Sequence, residues 1–136
     1  MTQSCTFEIP LRTESSANLR EHYAVKAKRL ASERETTALA WLAAGRPVPA
    51  FPAVVTLTRV SPRLLDSGDN LPVSMKAPRD ELARGWGIDD RDPRVEWRYA
   101  QRKASKTFAV EVSWTSREAW IRAEIERLQA ELGRTI

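Results

Sequence analysis

The sequence has almost nothing with which to staple itself or to grip a soft metal. Cys5 is its only cysteine and His22 its only histidine. A single cysteine excludes an intramolecular disulfide and makes a reducing compartment the expected one. Two such residues are too few for a zinc centre, which draws on several Cys and His side chains. No apolar run reaches the length of a membrane span, so no transmembrane helix is expected. The opening MTQSCTFEIP carries neither the basic nor the apolar region of a signal peptide, and a cytoplasmic protein is expected. Internal repeats and low-complexity tracts are absent. Aspartate is missing from most of the chain as well. All six aspartates (Asp66, Asp69, Asp80, Asp89, Asp90 and Asp92) fall between residues 66 and 92, while the glutamates mostly lie elsewhere.

What is present fits one domain. The chain has 136 residues, of which 42% are hydrophobic, enough for a core without cross-links. A net charge of +4 suits a polyanionic partner, although many proteins carry that charge without one.

The pattern of apolar residues gives the elements. CTFEIPLR (5–12) alternates and reads as a half-buried strand, with Pro10 marking an edge or an end. Residues 15–45 read as a long helix, with Ser15 and Ser16 as candidate caps and Gly45 then Pro47 as the stop. RPVPAFP (46–52) is a stiff connector. AVVTLTRV (53–60) is a short β-branched run, a strand covered on both faces. Pro78, followed by Asp80 and Glu81, predicts a helix start, and Gly85 its end. RVEWRYAQRK (94–103) and TFAVEVSW (107–114) both alternate, and the short link KASK predicts an antiparallel hairpin. Thr115 and Glu118 have capping-box spacing before a last helix at about 116–133. Its stripe of Ile121, Ile125, Leu128 and Leu132 is expected in the core, with a subunit interface as the alternative. The order β-α-β-α-β-β-α makes the chain α+β, a single mixed sheet with helices packed against it, over residues 1–136.

The aspartate window is the chemically suggestive part. Aspartate holds a carboxylate close to the backbone, and Mg²⁺ demands oxygen ligands in tight octahedral geometry. Asp66 and Asp69 follow a strand; Asp89 and Asp90 precede the next one. Brought to one end of a sheet, they would repel unless a cation neutralised them. Two ions in such a site can activate water and stabilise the leaving oxygen of a phosphodiester. Lys76 would supply a point charge for the phosphate. Arg98 and Arg102, on one face of the following strand, are candidate phosphate contacts. The plainer alternatives stand beside this. Aspartates are common in turns because they cap local backbone groups, and SGDN and IDDRDP both read as turns. Asp80 reads most simply as a helix N-terminal acid, His22 as a surface residue, and Arg98 and Arg102 as solvated. The five tryptophans read as packing residues, with Trp86, beside two glycines, the one candidate for stacking on a base.

Asp-x-x-Asp-Asn-Leu, then Lys-Ala-x-x-Asp-x-Leu, then Ile-Asp-Asp, then a basic strand resembles the RusA-type crossover junction endonucleases, over roughly residues 54 to 103. The matching residues are Asp66, Asp69, Asn70, Leu71, Lys76, Asp80, Leu82, Asp89 and Asp90. The resemblance implies a small homodimeric enzyme of bacteria and their phages, working in the host cytoplasm in DNA recombination and repair. Such an enzyme uses Mg²⁺, or Mn²⁺ in its place, and no small-molecule cofactor or membrane. It would resolve four-way DNA junctions, with branched DNA as its partner. By the same resemblance, Asp66, Asp69 and Asp90 would be metal carboxylates and Asp89 the less essential neighbour of Asp90. Lys76 would be the catalytic lysine, and Arg102 or Lys103 a DNA contact. Two other expectations remain: the same fold holding structured DNA without cutting it, and a phage adaptor protein using the last helix to bind a partner.

Overall fold

The computed structural model describes residues 5–14, 22–65 and 70–135. In chain order these form β1 (Cys5–Ile9), α1 (Tyr23–Ala43), β2 (Ala53–Ser61), α2 (Asn70–Ser74), α3 (Lys76–Gly85), β3 (Val95–Lys103), β4 (Ala109–Ser116) and α4 (Arg117–Thr135). The α+β class and the single mixed sheet expected from sequence are present. Strand order is β1-β4-β2-β3, with β2 parallel to β3, antiparallel to β4, and β4 antiparallel to β1.

The β-branched run of β2 forms the centre of this sheet. Seven of its nine residues are buried, which fits a strand with a neighbour on each side and cover on both faces. Parallel pairing of β2 with β3 requires a crossover of a dozen or more residues, and the segment carrying α2 and α3 supplies it.

The hairpin expected from the two alternating runs does not form. β3 and β4 lie on opposite sides of β2, and the link between them steps across its end. Ala104 N–H donates to the Ser61 carbonyl at 3.0 Å, and Lys106 takes φ +53°. Five linking residues easily cover two strand spacings of about 4.8 Å each.

One face of the sheet carries the core. Val55 and Leu57 of β2 align with Trp97 and Tyr99 of β3 and with Trp114 and Val112 of β4, and Phe7 and Ile9 extend the rows onto β1. Leu71, Met75, Leu82 and Trp86 pack onto this surface from the crossover. Trp86 stacks on Trp97 with centroids 5.7 Å apart and meets Trp114 edge-on at 5.4 Å. Trp86 and Trp41 each donate an indole N–H to the Pro47 carbonyl, at 3.1 and 2.8 Å, so the proline connector ties α3 to α1. These two helices approach closely at Gly85, where a Cβ would come within 3.0 Å of the Trp41 ring.

Several local expectations are corrected. α3 begins at Lys76, two residues before Pro78. Pro78 still lies in the first turn, where its missing N–H has no helical acceptor to lose. Thr115 remains paired with Val54, so the cap of α4 moves one residue on: the Ser116 hydroxyl accepts from Ala119 N–H at 3.1 Å. The caps expected at Ser15 and Ser16 lie outside the described residues; α1 begins at Tyr23, capped by His22, whose Nδ1 accepts from Ala24 N–H at 3.2 Å. The stripe of α4 is not core. Ile121, Ile125, Leu128 and Leu132 are 45%, 49%, 53% and 62% exposed. Only the start of α4 meets the sheet, where Trp120 borders the outer face beside Val54, Thr56 and Ser113. Among the described residues no helix is long and apolar enough to cross a membrane.

Candidate functional site

α3 presents Lys76, Arg79 and Asp80 within one turn and its successor, a spacing that puts all three on one side of the helix. Lys76, at the helix start, is exposed. Arg79 turns inward and is only 23% exposed. One guanidinium nitrogen donates to the Tyr99 hydroxyl at 3.0 Å, Nε stands 3.5 Å from the Asp80 carboxylate, and another nitrogen stands 3.5 Å from Asp90. Asp90 is held at this place through its backbone, because Trp97 Nε1 donates to its carbonyl at 3.0 Å. Two residues ten positions apart in the chain thus meet on one guanidinium. Burial pulls the Arg79 pKa down, but the Tyr99 hydrogen bond and the charges of Asp80 and Asp90 outweigh it, and the pKa lies above the ordinary value. Arg79 Nε and Asp80 Oδ1 are buried with no hydrogen-bond partner, since a 3.5 Å ion pair is not a hydrogen bond of good geometry.

Gln101 follows Tyr99 on the same side of β3, about 7 Å along the strand. Its side chain clamps one residue completely: the carbonyl accepts from Leu65 N–H at 2.8 Å, and the amide donates to the Leu65 carbonyl at 2.6 Å. Beyond the Asp66–Asp69 stretch the chain is again fixed, with Asn70 opening α2 and Leu71 in the core. Asp66 and Asp69 themselves lie outside the described residues. On one side of them Leu65 is held by Gln101, and on the other Leu71 is held in the core.

The other expected site residues divide differently. Asp89 is exposed and closes a turn: its carboxylate accepts from Arg91 N–H at 2.8 Å, and that hydrogen bond, with help from the neighbouring Asp90, lowers its pKa. Asp92 does the same for Arg94, whose side chain and backbone N–H both donate to it; the side-chain bond is the larger cause of a pKa lowered to about 2. The turn reading therefore holds for this segment: Asp89 and Asp92 cap local backbone groups, and Asp90 lies inside the same turn, closed by Asp92 N–H donating to the Asp89 carbonyl at 3.0 Å, with its side chain facing Arg79. Arg98 and Arg102 point to the opposite face of the sheet from Tyr99 and Gln101. Arg98 pairs with Glu96 at 2.6 Å and lies over the Trp120 ring at 4.0 Å. Arg102 reaches across β2 to Glu111 at 2.7 Å. Lys103 is exposed at the end of β3. Trp86 is buried among the aromatic rings of the core, so it offers no platform to a base.

Among the described residues no group of three His, Cys, Asp or Glu side chains converges to hold a metal. Asp80 and Asp90 supply two carboxylates with a guanidinium between them. Arg79, Tyr99 and Gln101 escaped the sequence reading. Their signals were weak but present: a basic residue flanked by Lys76 and Asp80, and a polar Gln continuing the apolar row Val95, Trp97, Tyr99. No family model matches the chain, and no curated protein matches it either.

Proposed function

We propose that the chain is a Mg²⁺-dependent endonuclease of the RusA type that acts on branched DNA such as a four-way junction. The observation that carries this reading is the meeting of Asp80 and Asp90 on the Arg79 guanidinium. Asp90 from the second half of the aspartate window joins Asp80 and Arg79 beside Tyr99, while Gln101, next on the same strand, grips the residue that leads into the first half. In this reading Asp66, Asp69 and Asp90 hold the ion, with Mn²⁺ able to replace Mg²⁺. The ion would activate water and steady the leaving oxygen. Lys76, exposed on the same side of α3 as Asp80, would meet the phosphate as a mobile point charge. Arg79 keeps Asp80 and Asp90 from repelling one another until the ion arrives. Paired incision of a twofold-symmetric junction would engage two copies of the chain.

A second reading has its own support. Arg79 already stands between Asp80 and Asp90, as a counter-ion would in a protein that binds structured DNA and never takes up a metal. One experiment separates the two. A labelled synthetic four-way junction is incubated with the protein and Mg²⁺ or Mn²⁺, beside linear duplex, with Asp90→Asn as control. Metal-dependent paired cuts that vanish in the variant support the nuclease. Salt-sensitive junction binding by both proteins with no cuts supports the binding protein. Neither cutting nor binding refutes both.

A further inference from the structure

Resting on the reading of this chain as one that acts on DNA, we propose that one end of the sheet is a separate contact for the sugar-phosphate backbone, outside the aspartate window. At this end β1, β2 and β3 finish and β4 begins. Four exposed cations gather there. Arg12 follows β1 and lies over the Phe108 ring at 4.7 Å, just before β4. Arg63 follows β2, Lys103 closes β3 opposite Ser61, and Lys106 sits in the link that crosses the end of β2. Arg59 lies beneath them and is only 7% exposed. Main-chain oxygens fix it: its guanidinium donates to the Arg63 carbonyl at 2.7 Å and to the Thr13 carbonyl at 3.4 Å.

Exposed cations at strand ends are ordinary, but a buried one without a counter-charge costs stability. Among the described residues no carboxylate comes within ion-pair distance of Arg59, and its Nε is buried with no hydrogen-bond partner. Burial, then the charge of Arg12, lowers its pKa, and Glu14 only partly opposes them. Of the nearby acids, Glu14 is held by Arg12 at 3.4 Å and Glu111 by Arg102 at 2.7 Å. Arg63, Lys103 and Lys106 have no acidic partner among the described residues. The chain thus surrounds a buried positive charge with more of the same sign, and the field is left for an outside anion. The strand order spreads the exposed cations across three strand spacings, about 14 Å. A DNA strand sets a phosphate at about every 3.4 Å of axis, so the row meets about four phosphates. A free phosphate or a single acidic side chain would engage only one or two of these cations. Arg63 also stands two residues before Leu65, which Gln101 holds at the edge of the aspartate window. Backbone contacts at this end would fix the register of the duplex without reading its bases.

Fluorescence anisotropy of a labelled duplex, titrated with the protein in EDTA at several salt concentrations, tests it. Arg63→Gln, Lys103→Gln and Lys106→Gln together should lower the slope of log affinity against log salt by about 2.7 and weaken binding about 100-fold at about 0.1 M salt. A charge-matched variant elsewhere, Lys26→Gln with Lys28→Gln and Arg134→Gln, should stay within about 3-fold of wild type. Both should melt as wild type does, since all six side chains are exposed. Equal losses in the two variants overturn the proposal, because net charge and not this row then holds the DNA. Wild-type affinity and slope in the first variant overturn it too, and the junction-cleavage assay then judges the nuclease reading by itself. A slope lost as expected in a chain that cuts no junction keeps the proposal and removes the nuclease. A chain that binds no duplex but sediments with phosphatidylserine vesicles overturns it and assigns the row to an anionic membrane.

Discussion

Replacing Arg79 by methionine removes a charge from the middle of the site while keeping most of the stem. Three contacts go with it: the 3.0 Å hydrogen bond to Tyr99 and the two 3.5 Å ion pairs to Asp80 and Asp90. A charged hydrogen bond of this kind contributes about 1.5 kcal/mol net when buried. The ion pairs are long and about one-third open to water on the aspartate side, so each is worth closer to about 0.5 kcal/mol. The methionine recovers some packing, while Asp80 and Asp90 lose the charge that shielded them from each other. The expected destabilisation is about 2 kcal/mol, a fall of about 1 M in the urea midpoint. Fluorescence of the stacked Trp86 and Trp97 reports the transition. A double-mutant cycle with Asp90→Asn should return a coupling of about 0.5 kcal/mol. If the chain takes up Mg²⁺ as proposed, millimolar Mg²⁺ should stabilise Arg79→Met more than wild type, since the ion would no longer compete with a guanidinium for Asp90. A loss below about 0.5 kcal/mol would refute the hub role. An identical Mg²⁺ response in both proteins would refute the competition.

Other consequences are as direct. Asp92 has a folded pKa of about 2 against an ordinary value near 3.9, so the stability it lends is present above pH of about 4 and is lost as pH falls towards 2. Asp92→Asn should flatten the acid-unfolding curve in that window and leave the neutral region unchanged in slope. Gly85→Ala drives a methyl group against the Trp41 ring and should cost about 1 kcal/mol despite the better helix propensity of alanine; the cost should shrink in a Trp41→Phe background, and an unchanged cost there would mean the ring is not the obstacle. Gln101→Leu severs both bonds to Leu65 and should lower stability by about 1–2 kcal/mol. If the chain is a nuclease, this variant should also lose most of its junction cleavage at a temperature where it remains folded, whereas full activity would show that the Leu65 clamp does not serve the aspartates.

The parts of the fold that were legible in the sequence are those fixed by local chemistry. Period-two alternation located β1, β3 and β4, and the β-branched run located β2, because a strand must sort its side chains between two faces. Strand pairing was less accessible. The short link 104–108 suggested a hairpin, yet the near-continuous burial along β2 is the mark of a strand that needs neighbours on both edges. Placing β3 on one edge and β4 on the other answers that need. The α4 period was correctly read as one stripe, but periodicity states which residues share a face and not what lies opposite. The same limit applies to the site. Asp90 stood out by composition, whereas Arg79 and Gln101 act through contacts 20 and 36 positions distant in the chain, and no local pattern marks such partners. Arg98 and Arg102 followed from adjacency to the aspartates, and the strand pleat turned them to the other face.

The sheet order also governs how the chain must come together. When β2 leaves the ribosome it has two bare edges and two apolar faces. Its first partner, β3, arrives only after the whole crossover has been made, and β4 later still. β1 waits longest: Cys5 pairs with Trp114 and Ile9 with Val110, contacts that close loops of roughly a hundred residues. Of the four strands β1 is thus the last that can be seated, and until β3 and β4 flank it the most apolar strand, β2, is open to strands of other nascent chains. Joining the ends and opening the chain between β3 and β4 would make the β1–β4 contact local, and that permuted protein should fold faster and aggregate less during synthesis.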